Sequence, residues 1–307
     1  MAIATLTLNP ALDLTTCTEK VRPGHKLRCT APRFDPGGGG INVARVATHL
    51  GGRATAVFPS GGPAGATIVA LLEAQRVPIL AVPIAGATRE SFTVDEGRPG
   101  DQYRFVLPGP ELSADELAKL LDALFGVAEA DHIVVSGSLP PGCDPAILKR
   151  IAERCRQSGV KLAVDTSGSA LAACEGARAW LIKPSLREVA DLLGRAIASE
   201  AEEMAAAREL HDRGFAEIVV ISLAERGALL AGEGRELRLP AIPVEAKSTV
   251  GAGDSMVAAI TLASARGKAI EDALRYGIAA GAATLMTPAT ELARKEDVER
   301  LYAGTVS

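Results

Sequence analysis

The chain has 307 residues, 48% hydrophobic and 23% charged, with 33 Lys and Arg against 37 Asp and Glu for a formal net charge of −4. That balance excludes a disordered chain and disfavours a general nucleic-acid binder, and no run of about 18 uncharged apolar residues marks a membrane span. The five cysteines (17, 29, 143, 155, 174) contain no Cys-x-x-Cys, the four histidines show no zinc spacing, and MAIATLTLNPALD reads as a strand rather than a leader, so a reduced, cytoplasmic protein is expected.

In chain order, residues 2–8 (AIATLTL) form a β-rich run, and the segment 14–34 ends in the alternating stretch KLRCTAPRF. Four glycines at 37–40 then open a helix carrying Ile41, Val43, Ala44, Ala47 and Leu50. ATAVFP (54–59) is the next strand; in 88–107, SFTVDE and QYRFVL alternate around the turn residues GRPGD. Ser113 and Glu116 predict a capping box for a helix over 114–126. DHIVVSGS (131–138) is a strand, and Asp144 followed by Pro145 predicts an N-cap and a first-turn proline opening a helix to about 157. VKLAVDTSG (160–168), AWLIKP (179–184) and EIVVISL (216–222) are further short apolar runs, with helices predicted at 200–213, 252–266 and 270–286. Such runs, ending in polar, Gly or Pro residues, suit parallel strands buried on both faces. Residues 1–307 are therefore expected to form one α/β domain, a mainly parallel sheet with helices on both faces. Segments 14–34 and 88–107 are expected to make a small inserted antiparallel sheet serving as a lid or a partner contact; ordinary surface hairpins are the plainer alternative.

The sharpest chemical feature is Ser248-Thr-Val-Gly-Ala-Gly-Asp254, a small-residue turn opening an apolar helix. The first N–H groups of a helix lack internal partners and its dipole is positive there. With Gly251, Ala252 and Gly253 in place, little side chain blocks those donors from an anion such as a moving phosphoryl group. Asp254 is placed to accept a proton from an attacking hydroxyl. The helix N-terminus favours its ionised form, so a weak base is expected, which suffices where orienting the nucleophile matters more than basicity. Alone, the segment also fits a plain N-cap.

The second feature is Asp35-Pro-Gly-Gly-Gly-Gly-Ile-Asn42, where the backbone can approach a ligand closely. It fails as a dinucleotide loop: Asn42 or Val43 falls where the last glycine of Gly-x-Gly-x-x-Gly belongs, and Asp35-Pro36 rather than a strand precedes it. A turn without ligand fits the segment equally well. The Walker frame, the protein-kinase motifs and the Gly-x-Ser-x-Gly elbow are absent. Lys26 and Arg28, two apart in a predicted strand, share a face with each other, and Arg89 and Arg104 lie in the second insertion; these suit a phosphate monoester or are solvated surface charges. Asp13, Asp165 and Glu188 at strand ends or in a first helical turn are hydroxyl or Mg²⁺ candidates, although an acid in the first turn is also a plain dipole partner.

Together, GGGGINVARVATHLGG (37–52) and STVGAGDSMVAA (248–259), in that order, resemble the two signatures of the PfkB (ribokinase-like) family of carbohydrate kinases. The resemblance covers essentially the whole chain and implies a Rossmann-like α/β fold with a β-sheet lid. LTLNPALD (6–13), GHKLRCTAPRF within 24–52, QYRFVLPG (102–109) and VSGSLPPG (135–142) are most similar to the branch that uses ATP to phosphorylate the 1-hydroxyl of fructose 6-phosphate. Kinases of fructose 1-phosphate and tagatose 6-phosphate are the near alternatives, but the former usually carry Lys where this chain has Gly39. A sugar-phosphate sensor without activity and a dinucleotide oxidoreductase are alternatives of other classes.

The resemblance implies Asp254 as catalytic base and the amides of Gly251, Ala252 and Gly253 as anion hole. Asp13, Gly38, Gly39 and Asn42 would hold sugar hydroxyls, with Ser138, Lys26 and Arg89 at the sugar phosphate. Arg28 would reach across from a partner in a homodimer formed through the lid sheets. Lys183, Ser185, Ser222 and Gly227 would contact ATP, and Glu188 would organise Mg²⁺ through water. Relatives also use a monovalent cation near loops 248–250 and 284–290. Ser185 stands where the family usually has Asn, so a water is expected to fill the gap.

Overall fold

The computed structural model describes residues 2–97, 101–288 and 290–305, so the predicted GRPGD turn lies partly outside the described residues. β1 (Ala2–Leu6) leads into β2 (Ala11–Thr18) and β3 (Arg33–Gly37), and the glycine run opens α1 (Gly39–His49). β4 (Ala54–Ser60), α2 (Gly62–Ala74), β5 (Ile79–Pro83), β6 (Arg89–Glu96) and β7 (Gln102–Val106) follow. The chain continues through α3 (Ala114–Phe125), β8 (Ala130–Ser136), α4 (Ile147–Ser158), β9 (Lys161–Asp165), α5 (Gly168–Ala172) and β10 (Ala179–Ile182). Then come α6 (Leu186–Leu193), α7 (Glu200–Asp212) and β11 (Ala216–Ser222), a 3₁₀ turn at Ala224–Arg226, β12 (Ala228–Gly232), β13 (Arg235–Leu239), α8 (Ala252–Ala265), α9 (Ile270–Leu285) and α10 (Lys295–Ala303).

Nine strands form the large sheet in the order β13-β12-β11-β10-β9-β8-β1-β4-β5, parallel from β11 to β5, with β12 and β13 antiparallel at the edge. Successive strand residues face opposite sides: Val134 joins one apolar cluster, and Ile133 and Val135 the other. The first cluster is closed by Ile41 of α1, Leu72 of α2, Val257 of α8, Leu274 of α9 and Val298 of α10. The second is closed by Leu120 of α3, Ile151 of α4, Val189 of α6 and Leu210 of α7. Burial on both faces is why these strands read as continuous apolar runs. Among the described residues no helix is long and apolar enough to cross a membrane, and all five cysteines are free.

The small sheet has the order β3-β2-β6-β7. It differs from the expected antiparallel sheet in its central pair, β2 and β6, which run parallel. Each begins an excursion from the same end of a large-sheet strand, β1 or β5, and those strands point the same way, so the excursions do too. A strand does precede the glycine run: β3 contains Asp35-Pro36 and sits at the edge, where a missing N–H is tolerated. By contrast KLRCTAPRF is extended only from Arg33 onward, and residues 26–32 have no strand partner apart from bonds such as Thr30 N to Cys17 O. The Ser113–Glu116 capping box is present. Asp144 does not cap α4 directly; Oδ1 accepts from Ala146 N at 2.9 Å in a turn, and the helix starts two residues after Pro145, at Ile147.

Candidate active site

A cavity of about 330 Å³ lies between the small sheet and the ends of β1 and β8. The small sheet contributes Asp13, Arg89, Ser91 and Arg104; the large body contributes Asn9, Gly38, Gly39, Asn42, Ser138, Gly251 and Asp254. The fold thus brings the two glycine-bearing signatures to one wall. Gly38 caps α1 at φ 118°, a conformation that favours glycine. At Gly39 a Cβ would stand 2.1 Å from Ser136 Oγ, so the helix start can lie against the end of β8 only without a side chain.

Asp254 sits in the first turn of α8, whose N-cap is Gly251. Its Oδ2 accepts from Asn42 Nδ2 at 2.9 Å and its Oδ1 from Ser136 Oγ at 3.2 Å. Among the described residues the amides of Gly251, Ala252 and Gly253 have no hydrogen-bond partner, as the start of a helix dictates. Burial and repulsion from Asp165 push the Asp254 carboxyl up to about 6, against the opposing pull of Asn42, Lys183 and Ser136. The carboxyl therefore differs from the readily ionised group expected at a helix N-terminus, burial being the largest cause.

Asp13 projects from β2, level with Ser91 of β6 and Asp35 of β3. Burial pushes its carboxyl up to about 6, although Arg104 and Arg89 pull it down. Arg89 donates through Nη1 to Leu107 O and through Nη2 to Asn9 O, each at 3.1 Å. Its Nε and Asn9 Oδ1 are buried and have no hydrogen-bond partner among the described residues. Asn9 Nδ2 donates to Ser138 Oγ at 3.3 Å. Arg104, which the sequence offered as a phosphate-binding cation or a solvated surface charge, faces the same cavity from the face of β7 that carries Gln102 and Val106. Lys26 and Arg28 are exposed, outside any strand, and do not line this cavity of the single chain, so the structure does not bring Lys26 beside Arg89 within one chain.

A second group gathers at the ends of β9, β10 and β11. Lys183 Nζ lies 3.2 Å from Asp165 Oδ1, with the two side chains 7% and 15% exposed. Burial works against the Lys183 charge, but Asp165, Glu188 and Asp254 hold its pKa above the usual value; burial pushes Asp165 up despite Lys183. Ser185 caps α6 and closes a box with Glu188: Ser185 N and Oγ donate to Glu188 Oε2 at 2.7 and 2.9 Å, and Glu188 N donates to Ser185 Oγ at 3.3 Å. Ser222 bridges to Ser185 and donates its N–H to Pro184 O at 3.0 Å. Gly227, at φ 92°, precedes β12, and its carbonyl accepts from Leu223 N. None of these six residues lines the first cavity; Ser185 and Glu188 line a second, of about 750 Å³, with Ser167, Ser169 and Arg187. Among the described residues no three His, Cys, Asp or Glu gather as a metal cage.

The family model for pfkB family carbohydrate kinases matches residues 7–296. The chain is 51% identical over 301 residues to an ATP-dependent 6-phosphofructokinase isozyme 2 of Mycobacterium tuberculosis, covering 98% of this chain and 88% of that one. It is 41% identical over 302 residues to the isozyme 2 enzyme of Escherichia coli, covering 98% of each. A crystal structure of phosphofructokinase-2 from Escherichia coli in complex with potassium superposes with a TM-score of 0.95 at 41% identity, over 99% of both chains. Likeness in sequence and in fold at this extent has one reading: the chain belongs to the pfkB family of carbohydrate kinases.

Proposed function

We propose that the chain transfers the γ-phosphoryl group of ATP to the 1-hydroxyl of fructose 6-phosphate, giving fructose 1,6-bisphosphate and ADP. The relatives at 41% and 51% identity bear that activity in their names. The observation in this chain that supports it most is the composition of the cavity. Asp254 adjoins the amides of a helix start, and Arg89 and Arg104, which among the described residues form no ion pair, line the same cavity near Asp13. The arginines and Ser138 hold the sugar phosphate, and Asp13, Gly38, Gly39 and Asn42 hold the hydroxyls. Asp254 takes the proton of the 1-hydroxyl as that oxygen bonds to the γ-phosphorus and the bond to the bridging oxygen of ADP breaks. Gly251, Ala252 and Gly253 stabilise the charge on the moving group. Lys183, Ser185, Ser222 and Gly227 hold the nucleotide.

Mg²⁺ commonly binds through one or two carboxylates, water and substrate phosphates, so a single acid, Glu188, fits it through water. Bound there, it would neutralise phosphate charge. A monovalent cation belongs near 248–250 and 284–290, where Ser248 N donates to Leu285 O at 3.4 Å; potassium accompanies the Escherichia coli protein. The small sheet acts as a lid and as the face of a homodimer, since the side turned away from the cavity exposes Phe34 and Phe105 at 43% and 46%. In that dimer Arg28, outside its own chain's cavity, reaches its neighbour's.

ADP release measured with fructose 6-phosphate, fructose 1-phosphate, tagatose 6-phosphate and fructose tests the substrate. The highest kcat/KM is expected for fructose 6-phosphate. A higher value for any other sugar replaces it, and tight binding without turnover reduces the protein to a sensor.

A further inference from the structure

Arg45 lies on α1, three residues after Asn42, and is 4% exposed. It does not line the cavity. Its Nη1 donates to Asn42 Oδ1 at 3.1 Å and to Pro36 O at 3.2 Å, and its Nε donates to Gln75 Oε1 at 2.8 Å. All three acceptors are neutral. Burial lowers the Arg45 pKa to about 10, which still leaves it charged at neutral pH. The charges of Asp35 and Asp13 offset part of the cost of burial, but among the described residues no carboxylate bonds the guanidinium, and its hydrogen bonds go to neutral acceptors alone.

The Asn42 carboxamide has one donating and one accepting end, whereas a guanidinium only donates. Arg45 therefore holds Oδ1 toward itself and turns Nδ2 the other way, where it meets Asp254 Oδ2 at 2.9 Å. An amide turned over would set two acceptors against each other at the carboxylate. We propose that Arg45 is a positioning residue: through the fixed Asn42 amide it sets the orientation of the Asp254 carboxylate toward the sugar hydroxyl. This rests on the reading of Asp254 as the base. The other groups that act on Asp254 are Ser136 of β8, Asp165 at the end of β9 and Lys183 after β10. Arg45 is distinct from these in that it touches neither substrate space nor Asp254. Through Pro36 O and Gln75 it also fastens α1 to β3 and to the end of α2, so the amide is held from three elements.

The test uses the full chain with Arg45→Met, Arg45→Lys, Asn42→Ala and the double variant Asn42→Ala with Arg45→Met. Arg45→Met is expected to lower kcat about tenfold or more, the worth of a charge-assisted hydrogen bond, and to move the acid limb of the pH profile upward while KM for ATP stays put. Arg45→Lys, which keeps the charge and one donor, recovers part of kcat. In the Asn42→Ala background Arg45→Met costs little more, because the two act as one unit. Additive losses, or a folded Arg45→Met with unchanged kcat and acid limb, overturn the proposal. Should Arg45→Met fail to fold, Arg45→Lys is judged by the same kcat and acid limb. Asp254→Asn separates the two readings: if it stays active, the role of Asp254 falls; if it is inactive while the Arg45 and Asn42 losses add, only the Arg45 role falls.

Discussion

Lys183 Nζ stands 3.2 Å from Asp165 Oδ1, and its charge also pulls down the pKa of Asp254. Lys183→Met removes that offset and leaves Asp165 unpaired, so both carboxyls move further up. The acid limb of kcat/KM should shift to higher pH, and kcat at neutral pH should fall about 10²-fold or more. A pH–rate profile of the variant reads both quantities; an unmoved limb with full kcat contradicts the assignment.

In the proposed reaction Asp254 accepts a proton, which it can do only when ionised. With its pKa pushed up to about 6, the wild-type rate should be flat above that value and fall about tenfold per pH unit below it. Asp254→Asn should lower kcat about 10²- to 10⁴-fold, with far smaller changes in KM. Steady-state kinetics of the purified variant decides this, and near-normal turnover would falsify the role.

Ser185 Oγ both caps α6 and binds Glu188. Ser185→Ala should cost about 1 kcal/mol of stability through the lost cap and should also change the Mg²⁺ concentration needed for half-maximal rate. Ser185→Asn retains a capping side chain, so melting temperature should hold while the Mg²⁺ dependence moves. Thermal unfolding beside a Mg²⁺ titration of the rate separates the two effects; if both stay at wild-type values in Ser185→Ala, Glu188 has no part in metal handling.

Glu203 of α7 is 3% exposed and accepts from Arg226 Nη2 at 2.6 Å and from Arg238 Nη2 at 2.5 Å. Burial raises its pKa, but the two arginines together hold it below the usual carboxylate range. A folded-state pKa below the unfolded one adds stability that is present above the unfolded value and lost as pH falls through the folded one. Glu203→Ala should therefore destabilise at neutral pH, by about 1–3 kcal/mol for the lost charge-assisted bonds, and the gap to wild type should narrow in acid. Urea unfolding at the two pH values tests the sign; a gap that widens in acid would refute it.

The parallel strands and the helices around them were legible because their cause is local: apolar runs of strand length, the Ser113–Glu116 box and small-residue helix starts. The two signature loops were legible because runs of small residues at a helix start stand out in the sequence, although the reason Gly39 must lack a side chain, Ser136 packed against it, comes from a distant strand. KLRCTAPRF misled because alternation shows that a segment could pair, not that a neighbour is there to pair with. The parallel β2–β6 pair was hidden because its direction is inherited from distant β1 and β5. The basicity of Asp254 was missed for a related reason. Its surroundings come from β8, β9, β10 and α1, and the dipole of its own helix was all that the neighbouring residues displayed. Arg45 gave no sign at all, because its importance lies in which atom of Asn42 it turns away.

Because the walls of the 330 Å³ cavity come from both sheets, a molecule that touches Asp13 and Arg104 on one side and Asn42 and Asp254 on the other is a cross-link between them. Occupancy and the docking of the two sheets then form a single equilibrium. A saturating sugar phosphate should slow protease cleavage in the small sheet and raise resistance to heat, by an amount that grows with the logarithm of its concentration, whether or not a nucleotide is present.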